Sequence, residues 1–173
     1  MDAGAYGIIV PMVNSAIEAE LAVAATRYGP RGIRGVGLAR AQGYGANFNE
    51  YLDWQSSDPI VIVQIEHVDA IDNLEDILNT DGVDGFIIGP YDLSCSMGIP
   101  GKFEDKDFNY TLKHILDIGK NISIPAGIHL VEPDTNLLEK LKKDGYNFIA
   151  YSVDIRMLDV GCRGPFLKVK RQN

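Results

Sequence analysis

Cysteine is scarce in this chain: two in 173 residues, Cys95 and Cys162, outside any Cys-x-x-Cys spacing. That scarcity excludes a disulfide framework and a thiolate zinc centre, and a reducing compartment is expected. Basic residues are also few, with 16 Lys and Arg against 24 Asp and Glu and a formal charge of −8. A nucleic-acid partner is disfavoured, because such proteins carry a basic face. The one basic cluster, Lys168, Lys170 and Arg171, reads as a solvated terminus. No apolar run approaches the ~20 residues of a membrane span. The opening residues Met1 to Gly7 carry neither a basic region nor an apolar core of signal-peptide type. A protein of the cytoplasm, with no membrane partner, is expected.

Apolar residues make up 46% of the chain, enough at this length for one substantial core and a single domain over residues 1–173. Apolar runs alternate with helical patterns. Strands are predicted at Tyr6 to Val13, Ile60 to Glu66, Val83 to Ile88, Pro125 to Leu130 and Tyr146 to Val153. Helices are predicted from Ser15, with Glu18 three residues on as a capping box, and over Asn49 to Gln55. Val68, Ile71, Leu74, Ile77 and Leu78 recur at helical spacing. Further helices are expected over Asp107 to Lys120 and from Asp134 to Lys143, the latter stopping at Gly145. Gly29 to Gly45 and Pro90 to Lys106 read as loops. Residues 155–173, with Gly161, Gly164 and Pro165, read as an irregular tail.

Five βα repeats imply a parallel sheet, either doubly wound or of (β/α)8 barrel type. The barrel accounts better for two strands that each finish near an acid, "IVIVQIE" ending on Glu66 and "GFIIGPYDLS" delivering Asp92. One βα repeat separates them, so parallel strands place them as neighbours on one rim. Two adjacent carboxylates repel unless a cation lies between them. With no Cys or His cluster nearby, an all-oxygen site suits Mg²⁺ or Mn²⁺. Equally, each acid could cap the helix that follows it.

Gln64 shares a strand face with Glu66 and could donate to a substrate oxygen or bond within a barrel interior. The sharp turn at Gly89-Pro90 exposes the amides of Tyr91 and Asp92, which could hold a carboxylate or simply form a tight turn. "GVGLARA" follows a helix rather than a strand, which rules out a dinucleotide fingerprint. His67 should face away from Glu66, His129 lies near the rim, and His114 is expected on a helix surface.

The stretches "DAGAYGIIVPMV", "ATRYGPRGIRGVGLARAQGYG", "IVQIE", "GVDGFIIGPYDLS" and "PAGIHL" together resemble the HpcH/HpaI aldolase family, the metal-dependent class II pyruvate aldolases. The resemblance implies reversible aldol cleavage of a 4-hydroxy-2-oxo acid to pyruvate and an aldehyde. It implies Glu66 and Asp92 as ligands of Mg²⁺ or Mn²⁺, with Co²⁺ a further candidate. It also implies Gln64 and the Tyr91 and Asp92 amides as holders of the 2-oxo acid, and Asp2 as an acid that tunes a catalytic histidine. Family members more often carry Ala where Tyr91 stands. No His or Arg here matches the family's catalytic histidine and enolate-stabilising arginine. The expected fold is therefore a (β/α)8 barrel lacking its first three units; a homo-oligomer is expected, and residues 1–173 alone are not expected to make an efficient aldolase. A citrate-lyase-β-like acyl-CoA lyase and a non-catalytic remnant or assembly subunit are the rival readings.

Overall fold

The structure, a computed structural model, describes residues 1–56 and 59–170. Arg171 and the side chains of Lys168 and Lys170, the basic cluster of the tail, lie outside the described residues. Five strands, β1 (Gly7–Val10), β2 (Ile60–Ile65), β3 (Gly85–Ile88), β4 (Ala126–Leu130) and β5 (Phe148–Tyr151), form one sheet. Their order in space is their order in sequence, and every pair is parallel. A doubly wound sheet would reverse its strand order partway; this one does not, and its winding is that of part of a (β/α)8 barrel.

Helices fill each crossover: α1 (Ala16–Thr26), α2 (Phe48–Gln55), α3 (Val68–Asp72), α4 (Leu74–Leu78), α5 (Pro90–Ser96), α6 (Lys106–Ile122) and α7 (Thr135–Asp144). The last helix, α8 (Asp154–Lys170), follows β5. Alternation along β2 explains the layering. Val61, Val63 and Ile65 are fully buried towards the helices, as are their ladder neighbours Phe86 and Ile88. Ile62 and Gln64 occupy the other face, where Ile9 and Ile60 are about half exposed (52% and 50%). One face of the sheet is a dry core; the other is open.

Local chemistry sets the helix ends. Ser15 accepts from the Glu18 amide, while Glu18 reaches back to the Asn14 amide at 2.6 Å. Asp134 caps α7, and Gly145 ends it in the left-handed region at φ 108°. The single helix predicted through Val68 to Leu78 is broken at Asn73 (φ −110°, ψ 11°), whose amide bonds the carbonyls of Asp69 and Asn14. Within the Gly29–Gly45 loop, Arg40–Gly45 forms short 3-10 turns kinked at Gly43 and Tyr44, which both take left-handed backbone angles.

Two expectations are corrected. Gly89-Pro90 does not open a loop; it starts α5, because Pro is favoured at the first helical position, where its missing N–H costs nothing. Residues 155–170 of the expected irregular tail are helical, with Pro165 inside the helix, and residues 171–173 lie outside the described residues. Asp154 accepts the Ile155 amide at the start of α8, and Arg156 and Arg163 both pair with Asp159. Pro165 leaves the Gly161 carbonyl without its helical donor.

Gly119 on α6 allows the helix to approach the sheet, for a Cβ there would stand 2.5 and 2.8 Å from the Phe86 ring. Gly119→Ala should therefore destabilise the fold by about 1–3 kcal/mol through overpacking. Gly161→Ala on exposed α8, where a Cβ meets nothing within 4 Å, should stabilise by roughly 0.5–1 kcal/mol. Urea unfolding followed by circular dichroism separates the two, and the same sign for both would contradict this packing.

Candidate active site

Glu66 follows the last residue of β2, on the open face, and is only 3% exposed. Two donors fix its carboxylate. The Met12 amide bonds Oε1 at 2.9 Å, and the Gln64 side-chain amide bonds Oε2 at 2.5 Å. Met12 reaches it from the end of β1 by adopting φ 54°, a conformation that costs a non-glycine residue on the order of 1–3 kcal/mol. Asp92 stands in the first turn of α5, exposed to solvent, with its carboxyl against that of Glu66.

Burial pushes the Glu66 carboxyl above its ordinary range. The bonds from Met12 and Gln64 pull the other way without cancelling it, and the charge of Asp92 adds to the rise. Neither acid caps a helix, which removes that alternative. The cap of α3 is His67, whose ring accepts the Asp69 amide, and the cap of α5 is Gly89. Two carboxylates side by side on one rim, one of them buried, are a fitting donor set for a hard divalent cation. Among the described residues no group of three or more His, Cys, Asp or Glu is assembled, so water and substrate oxygens would complete the coordination.

The amides of Tyr91 and Asp92 belong to the first turn of α5 and have no acceptor within the helix. The Tyr91 ring is turned aside, edge-on to Phe103 at 4.9 Å, which in turn meets Phe108 of the helical layer. Gln64, Glu66 and the start of α5 thus converge on one rim. Asp2 is not among them. It pairs with Arg34, and its carbonyl accepts the Ala41 amide. Arg34, stacked over Tyr28 at 4.7 Å and bonded to the Tyr51 hydroxyl, holds the Asp2 carboxyl below its usual range.

His129 shares the open face with Gln64 and contacts the Ser152 carbonyl at 3.4 Å. His114 is exposed and stacks on Tyr110. Sequence reasoning missed Met12. Nothing in "VPMV" announces a left-handed methionine, and its contribution is a backbone N–H that any residue type carries.

The raised Glu66 carboxyl has a consequence for stability. The folded state holds this proton more tightly than the unfolded chain, whose value lies near 4.5. Stability in the presence of a chelator should therefore fall as pH rises from that value through the folded one. Glu66→Gln should remove this fall, and thermal melts between pH 4 and 8 measure it. A pH profile identical in the two proteins would contradict the burial described.

Known proteins share this arrangement of sequence and fold. The sequence profile described as HpcH/HpaI aldolase/citrate lyase matches residues 1–159. A hydroxypyruvate/pyruvate aldolase of Sagittula stellata is 38% identical over 159 residues, covering 91% of this chain and 62% of that protein. A 4-hydroxy-2-oxo-heptane-1,7-dioate aldolase of Salmonella paratyphi C is 39% identical over 163 residues, covering 93% and 61%. The chain thus spans about three fifths of the length of these curated relatives. A crystal structure of an HpcH/HpaI aldolase/citrate lyase family protein from Burkholderia cenocepacia superposes with a TM-score of 0.89 at 32% identity, covering 98% of this chain and 66% of that one. With the profile matched from Met1 to Asp159, the chain belongs to the HpcH/HpaI aldolase/citrate lyase family.

Proposed function

We propose that this chain carries the metal- and pyruvate-binding part of a carbon–carbon lyase, one that reversibly cleaves a 4-hydroxy-2-oxo acid to pyruvate and an aldehyde. The observation that carries the reading is the Glu66–Asp92 carboxylate pair beside Gln64 on one rim. Relatives at 38 and 39% identity that are named aldolases support it. In the reaction the bond between C3 and C4 breaks and the C4 hydroxyl loses its proton to become the aldehyde. C3 gains a proton to become the methyl group of pyruvate.

Glu66 and Asp92 would hold Mg²⁺ or Mn²⁺, with Co²⁺ as a third candidate. Such an ion, when bound, supplies Lewis-acid polarisation of the 2-oxo acid. The amides of Tyr91 and Asp92 receive the substrate carboxylate, as free N–H groups of a first helical turn do. Gln64 holds the Glu66 carboxylate and offers its remaining amide hydrogen and its carbonyl oxygen to the substrate. Asp2 would tune a proton-transferring histidine, a group for which residues 1–173 offer no match, and assembly into homo-oligomers belongs to the same reading.

Calorimetric titration tests the assignment. Glu66→Ala and Asp92→Ala should each weaken Mn²⁺ binding by about tenfold or more, and oxalate or pyruvate should bind only when Mn²⁺ is present. Unchanged Mn²⁺ affinity in both variants, or equal oxalate binding with a chelator, would overturn the proposal.

A further inference from the structure

Gly89 closes β3 and caps α5 with φ −97° and ψ 91°, an extended conformation open to any residue. Its lack of a side chain is therefore not required by the backbone. The requirement comes from its neighbours. The ladder sets Ile65 against Ile88, and the Gly89 amide bonds the Ile65 carbonyl at 3.2 Å, so Gly89 lies alongside Glu66. A Cβ on Gly89 would stand 2.5 Å from Glu66 Oε2, 2.9 Å from Gln64 Nε2 and 3.0 Å from Glu66 Cβ. The space that a side chain would fill is already occupied by the hydrogen bond between Gln64 and Glu66.

We infer that Gly89 is a positioning residue for the Glu66 carboxylate, acting through the volume it leaves free. The inference rests on reading Glu66 as a metal ligand. Two hydrogen bonds then fix that carboxylate, the Met12 amide on Oε1 and the Gln64 amide on Oε2, and Oε2 lies in the space that a Cβ on Gly89 would take. Gln64 alone could hold the carboxylate in more than one place, since its own side chain is half-buried and rotatable. The room left at Gly89 admits the arrangement observed, with Oε2 on Gln64 and Oε1 turned to Met12. A methyl group at position 89 must displace Oε2, and with it the Gln64 bond, while every backbone hydrogen bond of β3 and α5 can persist. The consequence is loss of site geometry in a folded protein.

The experiment is a mutant cycle on the full chain with two readouts. Gly89→Ala should retain its circular dichroism spectrum and weaken Mn²⁺ affinity by about ten- to a hundredfold, the range seen when a residue that orients a ligand is altered. Its melting midpoint should fall in the otherwise native chain. In a background of Gln64→Ala with Glu66→Ala, which removes Oε2 and Nε2 and leaves only the Cβ of residue 66 at 3.0 Å, Gly89→Ala should lower the midpoint much less than it does in the otherwise native chain. An equal fall in both backgrounds would overturn the steric role, and so would native Mn²⁺ affinity in Gly89→Ala. Failure of the unmodified chain to bind Mn²⁺ would instead overturn the functional reading. The melting cycle would then decide the role of Gly89 by itself.

Discussion

Ile65 pairs with Ile88 across the parallel ladder, and from that match the rim takes its arrangement. It sets Glu66 next to Gly89 and brings the first turn of α5 over the end of β2. A slip of one residue would turn Glu66 towards the helices and Ile65 into the open face. The register is held by the dry side of the sheet, where Val63, Ile65, Phe86 and Ile88 have no exposure at all. Hydrophobic packing on one face thus determines electrostatic geometry on the other.

That geometry stabilises nothing locally. A buried carboxylate next to a second one raises the energy of the folded state, and the left-handed Met12 adds backbone strain. Two hydrogen bonds to Glu66 offset part of this cost. The remainder is carried by the continuous core beneath, which runs from Val13 on the first βα unit to Tyr146 near the last strand. A strained backbone and a buried carboxylate meeting at one rim mark it as a candidate site.

Much of this was legible in the sequence. The five strands fall within the predicted runs because each is a short apolar stretch bounded by Gly, Pro or Asp. Winding order followed from alternation with helices, and the convergence of Gln64, Glu66 and Asp92 from their places at successive strand ends. The helices α5 and α8 were hidden by the same residues that punctuate turns elsewhere. Pro90 is a helix starter when glycine caps it, and Pro165 lies inside a helix that runs on to Lys170. The break at Asn73 and the turn of Met12 depend on hydrogen bonds to residues more than fifty positions away, which no local pattern encodes. Asp2 was grouped with the site by resemblance alone, and its contacts in the chain are with Arg34 and Ala41.

Because the strands pair in the order in which they occur, each βα unit docks on the one before it and waits for nothing downstream. Met12, Gln64, Glu66 and Asp92 all lie in the stretch from the end of β1 to the first turn of α5. During synthesis from the amino terminus, at roughly 5–20 residues per second, β1, β2 and β3 are available to pair several seconds before β5 is made. The rim can be shaped while the chain is still growing, and β4, β5 and α8 then extend a scaffold in which Glu66 and Asp92 already stand side by side.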